Sequence, residues 1–454
     1  RATIRRQEER ASMLGQFRTA LVTSFIAMGF LGCNKRDERQ PENTTPPATT
    51  PEARTNPNAA STGATNTPGA NGPTAANGTT GANGMNGANG APGANGTPGA
   101  NGTNGTTGTS AERVNDSNAK DALSKADKDM KEVLDEFAAL GGKPLETLTP
   151  AEARKQPTLA DAEKALLKKQ GKSTAPEEVA KVENKTIRSG SASIPARIYT
   201  PKEGKAPYPV VVYFHGGGFV VGSNDSYDAS ARGLANGAKA IVVSVDYRKA
   251  PENKFPAAHE DADAAYAWVL KNAGSFSGDP KNVAVAGESA GGNLAINVAI
   301  DARDKSEQLP VHVLAVYPVA TSTSTSQTFQ EYAEAKPLNR AMMTWFMDKY
   351  TRSPADAKDR RLDLLNAKLA GLPPTTIITA ELDPLRADDE ALEKKLDDAK
   401  VSVKLKNYEG VTHEFFGLGA VVGDAKDAMD FATSRLKDAF AKHANQSASV
   451  EGTR

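Results

Sequence analysis

The segment Gly287-Glu288-Ser289-Ala290-Gly291 constrains this chain more than any other. Before it runs Val283-Ala284-Val285-Ala286, which reads as a buried parallel strand; after it, Gly292 to Ile300 reads as a helix. A serine on so sharp a strand-to-helix turn exposes its hydroxyl, and glycine on either side relieves the crowding. The turn also sets Ser289 at a helix N-terminus, where partial positive charge favours a developing oxyanion. A G-x-S-x-G match arises by chance in chains rich in Gly and Ser, and the plain alternative is a structural turn, so its surroundings decide.

Upstream, Pro209-Val210-Val211-Val212-Tyr213-Phe214 is an apolar, β-branched strand that ends in His215-Gly216-Gly217-Gly218. Successive glycines let a backbone approach a ligand and aim N–H groups at one point. With a serine elbow downstream, this segment reads as part of an oxyanion hole whose donors are Gly216, Gly217 and Ala290. His215, Gly218 and Glu288 support the two motifs. The alternatives are a flexible or phosphate-binding loop. A dinucleotide loop would need G-x-G-x-x-G opening into a helix, and Gly216 to Gly222 does not fit.

A serine nucleophile needs a base, and the chain has five histidines. His215 belongs to the glycine loop. His259 opens an amphipathic helix, His312 starts the strand Val311 to Tyr317 as a satisfied sheet residue, and His443 lies in the polar end of the last helix. His413 remains, in a loop after the strand-like Val403 to Tyr408. Thr375 to Ala380 reads as a strand followed by Glu381-Leu382-Asp383-Pro384, which makes Asp383 the orienting acid, with Glu381 as the alternative and a helix cap as the structural reading. The order Ser289, Asp383, His413 is that of α/β-hydrolases.

These residues, with Val245 to Glu252, Tyr317-Pro318, Asp383-Pro384-Leu385 and His413-Glu414-Phe415-Phe416, resemble the hormone-sensitive-lipase-like esterases, a branch of the α/β-hydrolases. The resemblance spans roughly 130–441. Many members have Gly after the catalytic histidine where this chain has Glu414. The resemblance implies hydrolysis of carboxylic esters with small or medium acyl groups through an acyl-serine intermediate, with no metal and no cofactor. It also implies that N-terminal helices form a cap over the site. Asp246-Tyr247-Arg248 is expected to hold a buried structural ion pair at a strand end. A ligand-binding protein on the same fold, and a tethered surface structural protein, are the readings from other classes.

Lys and Arg number 55, as do Asp and Glu, and no basic block lies on one face, which argues against a nucleic-acid partner. The single cysteine, Cys33, excludes an intrachain disulfide. It follows Gln16-Phe17-Arg18 and the apolar run Thr19 to Gly32, so residues 1–33 read as a signal peptide. Phe30-Leu31-Gly32-Cys33 resembles a bacterial lipobox with Phe in place of the usual Leu. The expectation is an exported lipoprotein anchored to the lipid membrane through Cys33, on the periplasmic or cell-surface face, with Met13 as the translation start; a plain secreted protein is the alternative.

Residues 34–110 are mostly Gly, Asn, Thr, Ala and Pro and read as a tether. Between Gly78 and Gly108 glycine recurs at every third position, the collagen period, but proline enters this run only at Pro92 and Pro98. A flexible coil is therefore favoured over a triple helix. Residues 111–180 read as cap helices, 181–445 as the catalytic domain with a cap insertion at about 321–361, and 446–454 as a polar tail. Within the catalytic domain strands alternate with helices, which argues an α/β fold with a mostly parallel sheet flanked by helices. The insertion carries Met342, Met343, Trp345, Phe346, Met347 and Tyr350, equally suited to core packing and to substrate contact.

Overall fold

Runs of β-branched and small apolar residues make the centre of the sheet. Ile241–Val245 and Val313–Val316 are buried at every position, as strands covered by helices on both faces must be. The computed structural model describes residues 124–451. The expected signal segment with Cys33, the tether, the start of the cap region and the last residues of the tail lie outside the described residues.

Among the described residues, three helices precede the strands: α1 (Lys128–Ala139), the single turn α2 (Pro150–Ala153) and α3 (Leu159–Lys169). Thr149 opens α2 and Thr158 opens α3, each with a capping box that satisfies two orphan donors at the helix start. The strands are β1 (Lys181–Ser189), β2 (Ala192–Thr200), β3 (Tyr208–Phe214), β4 (Ile241–Val245), β5 (Gly278–Glu288), β6 (Val313–Val316), β7 (Thr375–Leu382) and β8 (Val403–Thr412). Between and after them lie α4 (Asp228–Ala238), α5 (Ala257–Asn272), α6 (Ala290–Asp304), α7 (Gln327–Glu331), α8 (Arg340–Tyr350), α9 (Arg386–Asp398) and α10 (Gly423–Glu451). Among the described residues no helix is long and apolar enough to cross a membrane.

The eight strands form one sheet in the order β1-β2-β4-β3-β5-β6-β7-β8. The pairs β1/β2 and β2/β4 are antiparallel and the rest parallel. Alternation along β3 divides the core. Val210, Val212 and Phe214 face the layer that contains α5, α6 and α9; Val211 and Tyr213 face the layer that contains α4 and α10. The sequence reading missed β1. Only Ile187 of that strand is buried, so its pattern is that of a charged edge, and the turn at Gly190 is the only signal it offers. The insertion is closed at its base by an isolated bridge between Thr321 and Asp363 and contains α7 and α8.

Candidate active site

Ser289 stands between the end of β5 and the start of α6 with φ of 54°, in the left-handed region that disfavours a side chain. Three backbone bonds hold it there: its N–H donates to Val316 O at 2.9 Å, and its carbonyl accepts from Asn293 N and Val319 N, each at 3.1 Å. Gly287 and Gly291 permit the close approach. A Cβ at Gly287 would stand 2.1 Å from Gly291 O, and one at Gly291 would stand 2.0 Å from Phe214 O. The elbow is thereby pressed against the end of β3, beside the glycine loop.

The parallel pairing of β7 and β8 sets Leu382 opposite Thr412. Asp383 and His413 each follow directly, so one register brings both to the same sheet end. His413 Nδ1 lies 2.6 Å from Asp383 Oδ2, and its Nε2 lies 2.9 Å from Ser289 Oγ. All three side chains are buried. Glu381 does not reach the histidine; its Oε2 accepts the Gly410 N–H at 2.8 Å. Burial pulls the His413 pKa down, but the Asp383 carboxylate and its hydrogen bond, then Glu414 and Glu288, outweigh it and leave the imidazole above its ordinary value.

The other histidines are engaged elsewhere. His259 bonds Tyr350 Oη and Asn293 Oδ1 inside the core. His312 is a correction: it lies just before β6, and while Nε2 meets Thr376 Oγ1 at 3.0 Å, its buried Nδ1 has no partner among the described residues. His443 lies in α10.

The glycine loop turns on Gly217 (φ 99°) and Gly218 (φ 57°). A Cβ at Gly218 would stand 2.2 Å from the Phe346 ring, so an aromatic of α8 sits directly on this loop. A Cβ at Gly216 would stand 3.3 Å from Glu288 O, and Ala290 begins α6. His215 points away from the cavity, between the rings of Tyr247 (4.4 Å) and Tyr227 (5.7 Å), and burial lowers its pKa so that it stays neutral. Its Nδ1 lies 2.7 Å from Gly216 O, and Tyr247 Oη donates to His215 O at 2.9 Å. These contacts shape the loop.

At this strand end the charges of Asp246 and Arg248 pair with residues outside the tripeptide, Arg248 with the buried Asp261. Past the end of β4, Asp246 turns to His215 and Lys249, while Arg248 reaches α5 and binds Asp261 through both Nε and its own backbone N–H. Glu288 accepts Tyr213 Oη at 2.5 Å and Tyr317 Oη at 2.6 Å, and burial raises its pKa. The Tyr317 ring packs 4.5 Å from that of His413. Tyr213, Tyr247 and Tyr317 stand in the quoted motifs, but the sequence assigns none of them a partner. Their positions in the motifs are the only signal, since their partners come from other strands.

A cavity of about 380 Å³ opens beside Ser289, His413, Gly217 and Gly218. Phe137 of α1 and Leu159 of α3 line it, as do Met342, Met343, Phe346 and Met347 of α8. The two readings of α8 thus divide by face. Those four residues meet the cavity, whereas Tyr350 is fully buried against Phe219 at 4.2 Å. Among the described residues no group of three or more His, Cys, Asp or Glu could hold a metal ion. With its proton on Nδ1, His413 can take the Ser289 proton on Nε2, and the resulting imidazolium would face Asp383.

The sequence model of a family described as alpha/beta hydrolase fold matches residues 211–417. A second, described as collagen triple helix repeat, matches residues 58–115, outside the described residues. The chain is 40% identical over 265 residues to carboxylesterase NlhH of Mycobacterium tuberculosis, covering 57% of this chain and 83% of that protein. It is 32% identical to ethyl acetate hydrolase of Pseudomonas putida, covering 65% of this chain and 92% of that one. Among solved structures it is similar to an esterase of Pyrobaculum calidifontis (38% identity, TM-score 0.60, 64% of this chain and 94% of that one). A second similar structure is an alpha/beta hydrolase enzyme from the metagenome of Lake Arreo (35% identity, TM-score 0.64, 70% and 99%).

Proposed function

Because the chain belongs to the α/β-hydrolase family, in its hormone-sensitive-lipase-like branch, and is a carboxylic ester hydrolase, we propose that Ser289, His413 and Asp383 are its catalytic triad. The supporting observation is the continuous hydrogen-bond chain from Ser289 Oγ through the imidazole to the Asp383 carboxylate, facing a largely apolar cavity. Ser289 Oγ attacks the ester carbonyl carbon while its proton passes to His413 Nε2. The negative charge that grows on the carbonyl oxygen is met by the N–H groups of Gly216, Gly217 and Ala290 and by the N-terminus of α6. His413 then gives its proton to the leaving alcohol. Water repeats the sequence on the acyl-serine and frees the acid.

At about 380 Å³ the cavity is small for a ligand site, where roughly 300–1,000 Å³ is usual. Its methionine and phenylalanine lining favours neutral esters with short or medium acyl chains. Among the relatives, ethyl acetate hydrolase is named for an ester with a short acyl group. The test is Ser289→Ala on a series of aryl esters of rising acyl length. The wild type should be fastest at short to medium chains, and the variant should lose about 10⁶-fold in kcat. An alanine variant with full activity would refute the assignment.

The same proposal places the enzyme on a membrane through a lipidated Cys33. The apolar run before that cysteine supports this. Cys33→Ser should release activity from the membrane fraction; unchanged fractionation would count against it.

A further inference from the structure

Glu414 follows His413 with φ of 64°, a backbone that suits glycine better than a side chain. The side chain has a distinct contact: its Oε1 accepts the Tyr227 hydroxyl at 2.9 Å, across 187 residues of sequence. Tyr227 immediately precedes α4, and its ring stacks over His215. Its hydroxyl stands 2.4 Å from where a Cβ of Gly216 would be, so it rests on the Gly216 backbone. Both residues line the cavity beside Ser289. Glu414 thus meets, through one tyrosine, the backbone whose amide is assigned to the oxyanion.

We propose that Glu414 and Tyr227 are a positioning pair that locks the histidine loop to the glycine loop and so fixes the base relative to the Gly216 amide. This rests on the triad reading above. Neither residue transfers a proton in that mechanism. Their role is to hold two loops in register, since donors misplaced by a fraction of an ångström lose much of their effect on a developing charge. Burial, then the Glu414 and Glu288 carboxylates, push the Tyr227 phenol well up, so the hydroxyl stays a donor throughout the working pH range. The charged groups around His413 are Asp383, Glu414 and Glu288, with the Tyr317 ring against its face.

The experiment compares kcat and KM on a short-chain aryl ester for Tyr227→Phe, Glu414→Gly, Glu414→Gln and the double variant Tyr227→Phe/Glu414→Gly, with Ser289→Ala alongside. Phenylalanine keeps the ring on His215 and glycine suits the backbone at 414, so both variants should fold; melting temperatures check it. Each of these two should lose about tenfold in kcat, the factor one hydrogen bond to a charged group carries, with KM within about twofold. The double variant should lose no more than about thirtyfold, because both changes cut one link. Glutamine keeps an acceptor, so it should recover most of the loss. It should also move the acid limb of kcat/KM to lower pH, since one carboxylate that raises His413 is gone. Unchanged kcat in both single variants, losses that multiply, no recovery with glutamine, or a raised KM at constant kcat would each overturn the pairing. If Ser289→Ala is dead while the pair variants behave as wild type, only the pairing fails; if Ser289→Ala is active, the triad itself fails.

Discussion

Replacing Asp383 with Asn isolates the orienting acid with little change of shape. Asp383 uses both oxygens: Oδ2 lies 2.6 Å from His413 Nδ1, and Oδ1 accepts the Leu385 N–H at 2.9 Å. An asparagine has one acceptor for these two donors. With its carbonyl toward Leu385, its amide points at Nδ1 and forces the imidazole proton onto Nε2, where it blocks the serine. Turned the other way, the amide faces the Leu385 N–H and leaves two donors opposed in a buried site. The first arrangement costs less, so the histidine is trapped in the wrong tautomer. The same exchange in a Ser-His-Asp triad on another fold lowers kcat about 10⁴-fold, or roughly 5.5 kcal/mol at about 1.36 kcal/mol per factor of ten. The assay is kcat for a short-chain aryl ester from pH 6 to 9, with melting temperature as the control for folding. Turnover within about tenfold of wild type would refute the reasoning.

Further consequences follow from individual contacts. The raised pKa of His413 places the acid limb of kcat/KM above the ordinary histidine value of 6.5; a limb below it would contradict the electrostatics. By linkage, protonated His413 stabilises the fold fully below pH 6.5, and that contribution is lost as pH rises through the folded value, which melting curves would register. Gly291→Ala would place a Cβ 2.0 Å from Phe214 O and 2.5 Å from His215 O, both backbone atoms, so elbow and glycine loop must separate. A loss of about 10²-fold in kcat/KM is expected; near-normal activity would mean the two segments do not need this contact. Arg154, between α2 and α3, donates to Val220 O and Ala250 O and pairs with Glu252, fastening the N-terminal helices beside the glycine loop. Arg154→Ala should lower the melting temperature by a few degrees (about 1.5 °C per kcal/mol for a domain of this size) and raise KM more than it lowers kcat; the opposite split would place these helices away from substrate.

The legibility of the site follows from how local each signal is. Ser289 and the three glycines sit in short motifs whose strand and helix flanks lie in the same stretch of chain, so their placement at the ends of β5 and β3 is legible locally. His413 emerged by elimination. Asp383 depended on a strand ending where Pro384 stops it, and the pairing of Leu382 with Thr412 shows why both arrive together. The reading stops short where a partner comes from elsewhere in the fold. Asp246 and Arg248 carry opposite charges two residues apart, but past the strand end each finds another partner. The Tyr227–Glu414 contact has no local mark, because a polar loop before a helix looks the same with or without it. Strand β1 escaped because an edge that buries only Ile187 has no apolar alternation to read.

In the proposed mechanism the Ser289 hydroxyl is the one activated nucleophile. A fluorophosphonate probe incubated with the full chain, followed by peptide mass mapping, reads this directly. The phosphonyl adduct should fall on the peptide carrying Ser289 at one per chain, vanish in Ser289→Ala and slow greatly in His413→Ala. An adduct at another serine, or none in an enzyme that still hydrolyses esters, would contradict it.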